Sequence, residues 1–450
     1  MKKYEKYKSV DLTWLNEIPS HWESKRISRI FDIRKEKNFP IKTNNILSLS
    51  AKYGVSLYSE KKETGGNKSK EDLSSYNLCY PDDILVNCMN VVAGSVGISK
   101  YFGAVSPVYY PLVNINKENN YIYYMEYVFR NYNFQRSLVG LGKGIQMSES
   151  EDGKLFRVRM RISWDILKTQ SIPVPPFEEQ KQIAKYLDWK INEIDKLIEK
   201  EQNKLILLNK YLKIKVCKII TNSESLNSSW SIDMECFNSV KLSKIASLKN
   251  VKASKSLRYI GLENIEQWTG NYKTNTDIYS YADAKLINAG DIGIGLLRPY
   301  LAKVFLSNGT YAVSSEICVL NNIKINKKFL KEVLLNIKFI DELNSSTYGT
   351  RMPRANWDFL KNMKIPIYPP DIENFKVHKI LELKNKINTI EINTKLIIEN
   401  LNELKNSIIS EVVTGKIDVR DVIIPKYEKL NINEVIKEDS FEKGIESDDE

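Results

Sequence analysis

Arg157, Arg159 and Arg161 alternate in the run RVRMR, with Lys143 and Lys154 shortly upstream. A second basic set, Arg298, Lys303, Arg351 and Arg354, lies in the later half of the chain beside Tyr348. Arginine suits recognition of a polyanion, because its planar fork donates two bonds at once to a phosphate or to N7 and O6 of guanine. The alternation puts all three arginines of the first set on one face if that segment is a strand. A tyrosine can stack on a base or a sugar, which brings in Tyr348 and the pair Tyr109 and Tyr110, although buried tyrosines are commoner. Any single arginine is more often on a solvated face or a phosphate than on a base edge. As clusters they are the strongest candidates for binding in the sequence.

Residues for catalysis are sparse by comparison. Asp82 and Asp83 could serve a nuclease, but no acid-x-lysine follows on a plausible neighbouring strand, and Asp83 has a counterpart in Asp291 that fits a turn. The two histidines, His21 and His378, are too far apart in sequence to argue for a ligand pair. GLGKG at Gly140 lacks the spacing and the hydroxyl residue of a phosphate-binding loop, and GDIGIG at Gly290 reads as a turn in a sheet. Cys79, Cys88, Cys217, Cys236 and Cys318 form no CxxC pair, so they read as buried thiols and not as a zinc site or a disulfide framework. No cofactor is called for.

Charge points the same way as the arginines. The net charge is +11 although the last fourteen residues, KEDSFEKGIESDDE, hold seven acids against two bases. Without that tail the body carries about +16, which favours a polyanionic partner, nucleic acid first. A lysine- and asparagine-rich composition from AT-rich coding would supply part of this excess. Hydrophobic content of 42% places the chain among ordinary globular proteins. No apolar run is long enough to cross a bilayer and the start, MKKYEKYKSV, is polar, so a cytoplasmic protein is expected.

The elements that must position these residues occur twice. IPVPPFEEQ at Ile172 is answered by IPIYPPDIEN at Ile365, with Pro173 on Pro366 at a displacement of 193, shared by Trp164 and Trp357 and by Arg161 and Arg354. Upstream, Asp83 falls on Asp291 and Ser106 on Ser314 at 208, and KRISRIF at Lys25 resembles VKLSKIA at Val240 at 215. Internal repetition in one order predicts two sister domains. Between Ser106 and Trp164 the first copy is fifteen residues longer than the second, in the loop GLGKGIQMSESEDGKLFRVRMR. Such length changes belong on surface loops, where binding also concentrates.

Each copy reads as short strands punctuated by Gly, Asn and Pro, then a proline elbow, then a long helix. Pro175 and Pro176 suit a helix start, and Glu178 and Glu179 favour the positive end of its dipole. At a 3.5-residue spacing, Ile183, Leu187, Ile191, Ile194, Ile198, Glu201, Leu205, Leu208, Leu212, Val216 and Ile219 form one seam. Ile380, Ile387, Ile390, Thr394, Ile397, Leu401, Leu404, Ile408 and Val412 form the other. A helix over 177–221 would be about 66 Å long at roughly 1.5 Å per residue. That length and repeat predict that the helices pack on each other as an antiparallel coiled coil.

With these motifs the chain resembles the specificity subunit of a type I restriction-modification system, over about residues 15–420. The resemblance rests on IPVPPFEEQKQIAKYLDWKINEIDKLI, its second copy IPIYPPDIENFKVHKILELKNKI, the closing SEVVTGKIDV and the opening IPSHWESKRI. The second elbow departs from the family's usual PxPPxxEQ, and GTRMPRANWDFL is a divergent form of its GTGQPNI loop. The resemblance implies an α+β fold: two duplicated α/β target-recognition domains joined by two long antiparallel coiled-coil helices. Its domains would be residues 1–170 and 223–363, its spacer helices 171–222 and 364–420, and its acidic tail 421–450. It implies that each domain reads one half of a bipartite double-stranded DNA target. It further implies partnership with two methyltransferase subunits along the helices and two motor-nuclease subunits for cleavage, with no catalysis by this chain. The glycine-rich cofactor loop and the NPPY or DPPY run of such methyltransferases are absent from the sequence. The competing reading is a coiled-coil scaffold whose globular ends bind proteins.

Overall fold

The computed structural model describes residues 2–51, 54–60, 72–144, 148–149, 155–156, 160–222, 229–235, 238–253, 257–274, 283–347 and 352–430. They form two compact units, one of residues 1–200 with 397–450, the other of residues 201–396.

The first unit is built on four antiparallel strands, β1 (Phe31–Ile33), β2 (Ile84–Asn87), β3 (Val96–Ile98) and β4 (Tyr109–Asn114), in the order β1-β4-β2-β3. Leu112 faces Ile33 on one side and Ile84 on the other, and Ile84 faces Ile98. Ile84 and Val86 join the main core with Phe31, Phe129 and Leu112, while Leu85 points into a second cluster with Leu47, Cys79 and Val105. Both faces are therefore covered, which is why Ile84, Leu85 and Val86 are apolar in succession and do not alternate with polar residues.

The second unit repeats this plan with β5 (Ser247–Lys249), β6 (Ile292–Gly295), β7 (Val304–Leu306) and β8 (Ile317–Asn321) in the order β5-β8-β6-β7. Leu320 faces Leu248 and Ile292, and Ile292 faces Leu306, so the pairing register of the two sheets is the same under the sequence displacements of 208 and 215. Side pairings follow suit, with Ala104 on Leu78 in one unit and Ala312 on Leu286 in the other. Of the GDIGIG glycines only Gly290 turns, at φ +86°, whereas Gly293 lies within β6. A Cβ at Gly293 would stand 2.4 Å from the Phe305 ring, so that strand position admits no side chain.

Both elbows are strands in their own right. Ser171–Val174 pairs with Glu23–Arg26, and Lys364–Pro366 pairs with Ser239–Lys241. Just before them Ser163 and Asn356 cap the one-turn helices Trp164–Leu167 and Trp357–Leu360 through side-chain oxygens.

The first long helix runs Phe177–Thr221 and the second Pro370–Val413. In the first unit Ile183, Leu187 and Ile194 of one share a core with Ile408 and Val412 of the other, and Lys405 Nζ reaches Asp195 at 2.7 Å. In the second unit Val216 and Ile220 share a core with Val377 and Ile380. Opening turns meet closing turns in both units, so the helices are antiparallel. One part of the expected seam is corrected. Ile390, Ile397 and Leu404 are 39%, 42% and 47% exposed, and the inward residues are their neighbours Glu391, Ile398 and Lys405. The heptad steps by four and then three from Ile387, and a search for apolar residues passes over Glu391 and Lys405. Long charged side chains can cover a seam with their methylene stems.

The copies differ in what covers the start of each helix. In the first unit Glu179 is buried, taking hydrogen bonds from the Tyr4 hydroxyl at 2.6 Å and Trp22 Nε1 at 2.9 Å, with His21 Nε2 at 2.8 Å. Residues 415–430 then lie along this helix: Gln182 donates to Val419 O and Val422 O, and Asn192 holds Glu428 O and the Leu430 N–H. The same strap meets the opening residues of the chain, as Asp418 N–H donates to Lys2 O at 2.9 Å and the Tyr7 hydroxyl to Gly415 O at 3.1 Å. In the second unit Ile372 and Phe375 stand where Glu179 and Gln182 stand in the first, and they are 43% and 61% exposed. They border a cleft of about 600 Å³ lined also by Tyr211, Lys215, Lys376 and Lys379.

Candidate nucleic-acid interface

Among the described residues, Lys143 and Arg161 lie at one end of the first sheet and Arg298 and Arg354 at one end of the second, and the same backbone device brings them there. In the first unit β2 ends at Asn87, Ile162 N–H donates to Cys88 O at 2.9 Å, and Arg161 is thereby set beside that strand end. Lys143 faces Arg161 across a short antiparallel pair, so two residues eighteen apart in sequence are neighbours. The Arg161 side chain is exposed, and its pKa is raised chiefly by the Tyr110 hydroxyl. Tyr110 itself is buried, donates to Ile162 O at 3.3 Å and has its pKa raised by burial. It acts as a support for the arginine from below. Tyr109 is partly buried, with its pKa also raised by burial.

In the second unit the strand end is Gly295. Ala355 N–H donates to Leu296 O, Leu297 bridges Arg354, and Arg298 N–H donates to Pro353 O at 2.7 Å. These bonds bring Arg298 and Arg354 together from positions far apart in sequence. Arg354 is exposed and forms an ion pair with Glu316 at 2.6 Å. Arg298 adopts φ +51°, a left-handed conformation that a non-glycine residue holds only when its surroundings fix it. Tyr300 and Met352 are exposed on the same loops, a pair that residue type alone did not single out.

Lys303 is placed differently from the other candidates. It is buried at the start of β7, and its carbonyl accepts from Gly295 N–H, so its side chain belongs to the interior. Lys154, Arg157, Arg159, Tyr348 and Arg351 lie outside the described residues, as does the side chain of Lys143.

The carboxylates weighed for catalysis have structural partners. Asp83 accepts Arg34 in a two-bonded fork, both at 2.8 Å, and takes the Tyr80 N–H at 2.9 Å, with the guanidinium 4.3 Å from the Tyr80 ring centroid. Asp291 repeats the arrangement with Lys249 at 2.8 Å and the Asn288 N–H at 2.9 Å. Each acid closes the turn into a central strand. Burial pushes the Cys79 and Cys318 thiols up to about 12, which keeps them protonated and unreactive. Among the described residues no group of three or more His, Cys, Asp or Glu is arranged to hold a metal ion. Among them also, no helix is long and apolar enough to cross a membrane.

The model of the type I restriction modification DNA specificity domain matches twice, at residues 19–207 and 234–403. The specificity subunit of the type I restriction enzyme MjaVIII from Methanocaldococcus jannaschii is 27% identical over 289 residues, 57% of this chain and 64% of that protein. The EcoDI specificity subunit from Escherichia coli is 25% identical over 162 residues, 35% of this chain and 36% of that protein. The chain thus spans less than two thirds of the length of each of these relatives. A solved chain from a study of assembly and conformational transition in the type I restriction-modification system superposes with a TM-score of 0.62 at 10% identity, covering 89% of this chain and 99% of that one. That likeness concerns the fold.

Proposed function

The chain belongs to the family of type I restriction-modification DNA specificity domains, and from that premise we propose that it is the sequence-reading subunit of such a system. Each recognition domain docks on one half of a bipartite duplex target, with backbone contacts fixing register and a few side chains reading base edges. Arg161 and Lys143 serve one half, Arg298 and Arg354 the other. Lys154, Arg157 and Arg159 in the first copy, and Tyr348 and Arg351 in the second, are added as contacts on residue type and sequence position alone. The observation that carries the reading is the duplicated strand end. Two sheets of one register each present an exposed arginine, Arg161 and Arg354, at the same place.

The long helices set the gap between the half-sites and take up two methyltransferase subunits, and two motor-nuclease subunits join for cleavage. Supporting a partner surface, Leu197, Leu207, Ile392 and Leu396 are left 49%, 64%, 58% and 53% exposed on these helices. Chemistry is left to the partners, and the complex works in the cytoplasm.

Mapping methylated bases genome-wide with and without this gene tests the proposal. A split target should appear only with it. Exchanging residues 15–165 for those of another family member should change one half of that target alone; a change in both halves would contradict independent reading. Removing one heptad from each helix takes away about 10 Å, and the gap should shorten by about three base pairs at roughly 3.4 Å each. Binding should weaken steeply with salt, whereas a protein scaffold would show no such slope.

A further inference from the structure

We infer that the loop after β1 carries an apolar wedge, Phe39, Pro40 and Ile41, which enters the DNA held by the first unit and unstacks one base step. The inference rests on the DNA-reading function proposed above and adds a residue-level device to it.

The loop is fixed on both sides of its tip by one buried side chain. Asn38 is fully buried; its N–H donates to Tyr76 O at 2.9 Å, and its Nδ2 donates to Thr43 O at 3.0 Å and Leu73 O at 3.4 Å. Its Oδ1 accepts from the N–H groups of Lys42 at 2.8 Å and Thr43 at 3.2 Å. Just before it, Leu78 N–H donates to Glu36 O and Lys37 bridges Asn77. The tip between these anchors stands in solvent, with Phe39 75% and Ile41 55% exposed. A slack loop would lay such side chains on the protein surface; this one is held so that they stay off it.

The surrounding charge identifies what the tip meets. Lys35, Lys37 and Lys42 are exposed around it; Lys42 pairs with Glu36, and Lys37 donates to Asn77 Oδ1 at 2.7 Å. An apolar point ringed by cations matches a base stack between two rows of phosphates, and Phe, Pro and Ile are residue types that open base steps in this way. A neutral or basic protein pocket would gain nothing from these lysines. The wedge is confined to one copy. Lys249 and Asp291 mirror Arg34 and Asp83, but the sequence that follows, NVKASKSLR, has no aromatic residue. Distortion is therefore expected in one half-site only.

The test uses the full chain with its methyltransferase partner, and duplexes of the mapped target carrying 2-aminopurine at successive positions other than the methylated one. Wild type should raise the fluorescence several-fold at one step in the half-site of the first unit. The F39A/I41A double variant should bring it near the free-duplex level, while Phe39→Leu, which keeps the apolar bulk, should retain most of it. Asn38→Ala, which frees the loop, should fall between. An unchanged signal in F39A/I41A would overturn the wedge, and so would loss of the methyltransferase from that variant on gel filtration, since the tip would then be a protein contact. Wild type that fails to prefer the mapped target over random duplex would bring down the function itself, a different result from either.

Discussion

Lys405 Nζ lies 2.7 and 3.0 Å from the two carboxylate oxygens of Asp195, joining the two long helices within the first unit. Both side chains remain about a third exposed, so water competes for the pair. Asp195→Asn should therefore cost less than about 1 kcal/mol. Ile408→Ala, one turn from Lys405 and nearly buried, should cost about 2–4 kcal/mol. Urea unfolding monitored by circular dichroism compares the two.

Glu179 is the buried acceptor of the Tyr4 hydroxyl and the Trp22 indole. Burial, followed by that carboxylate, pushes the Tyr4 phenol well above its ordinary range, so it stays a donor at any working pH. Glu179→Ala should cost about 2–4 kcal/mol, because it leaves both donors buried and unpaired. Glu179→Gln keeps one acceptor oxygen and should cost less. Thermal unfolding of the two variants orders them.

Lys376 gives a pH dependence with a definite sign. Burial pushes its ammonium down to about 8, although it donates to Ile219 O and to Asn222 Oδ1 and sits 4.3 Å from the Tyr368 ring centroid. Between pH 8 and 10.5 the folded chain has released this proton while the unfolded chain still binds it, so stability from this group rises with pH across that window. Below pH 8 both states hold the proton and the cost of the desolvated charge is present in full. Wild type should gain on Lys376→Met by on the order of 2–3 kcal/mol between pH 8 and 10.5. Comparing the two chains at each pH removes the opposing contribution of the buried tyrosines.

Arg161→Ala and Arg354→Ala should act on opposite halves of the target. If each reads a base, the loss is about 1–3 kcal/mol at one position, roughly tenfold to a hundredfold in selectivity, with the other half-site unaffected. If each holds a phosphate, affinity falls uniformly and the salt slope drops by about 1. Methylation profiling across a randomised target library separates the outcomes.

Most of the architecture was legible because repetition carries register. The displacements that align Asp83 with Asp291 and Lys25 with Val240 are those that align the strand partners of Leu112 and Leu320. The elbows and the span of the first long helix were legible for a local reason, since proline and helix-breaking residues act where they stand. Three features were not. Lys303 is buried just before β7, opposite Gly295, a placement that residue type does not reveal. Arg298 and Arg354 meet through a bridge between distant segments, a non-local fact. The second seam was misjudged at Ile390, Ile397 and Leu404 because half-buried charged residues at Glu391 and Lys405 hold places where apolar ones were expected.

The strap reaches the opening residues at Lys2 and Tyr7 from 408 positions downstream of Tyr7. During synthesis the opening segment is therefore made long before its clasp exists, and the first unit closes only after the second has been translated.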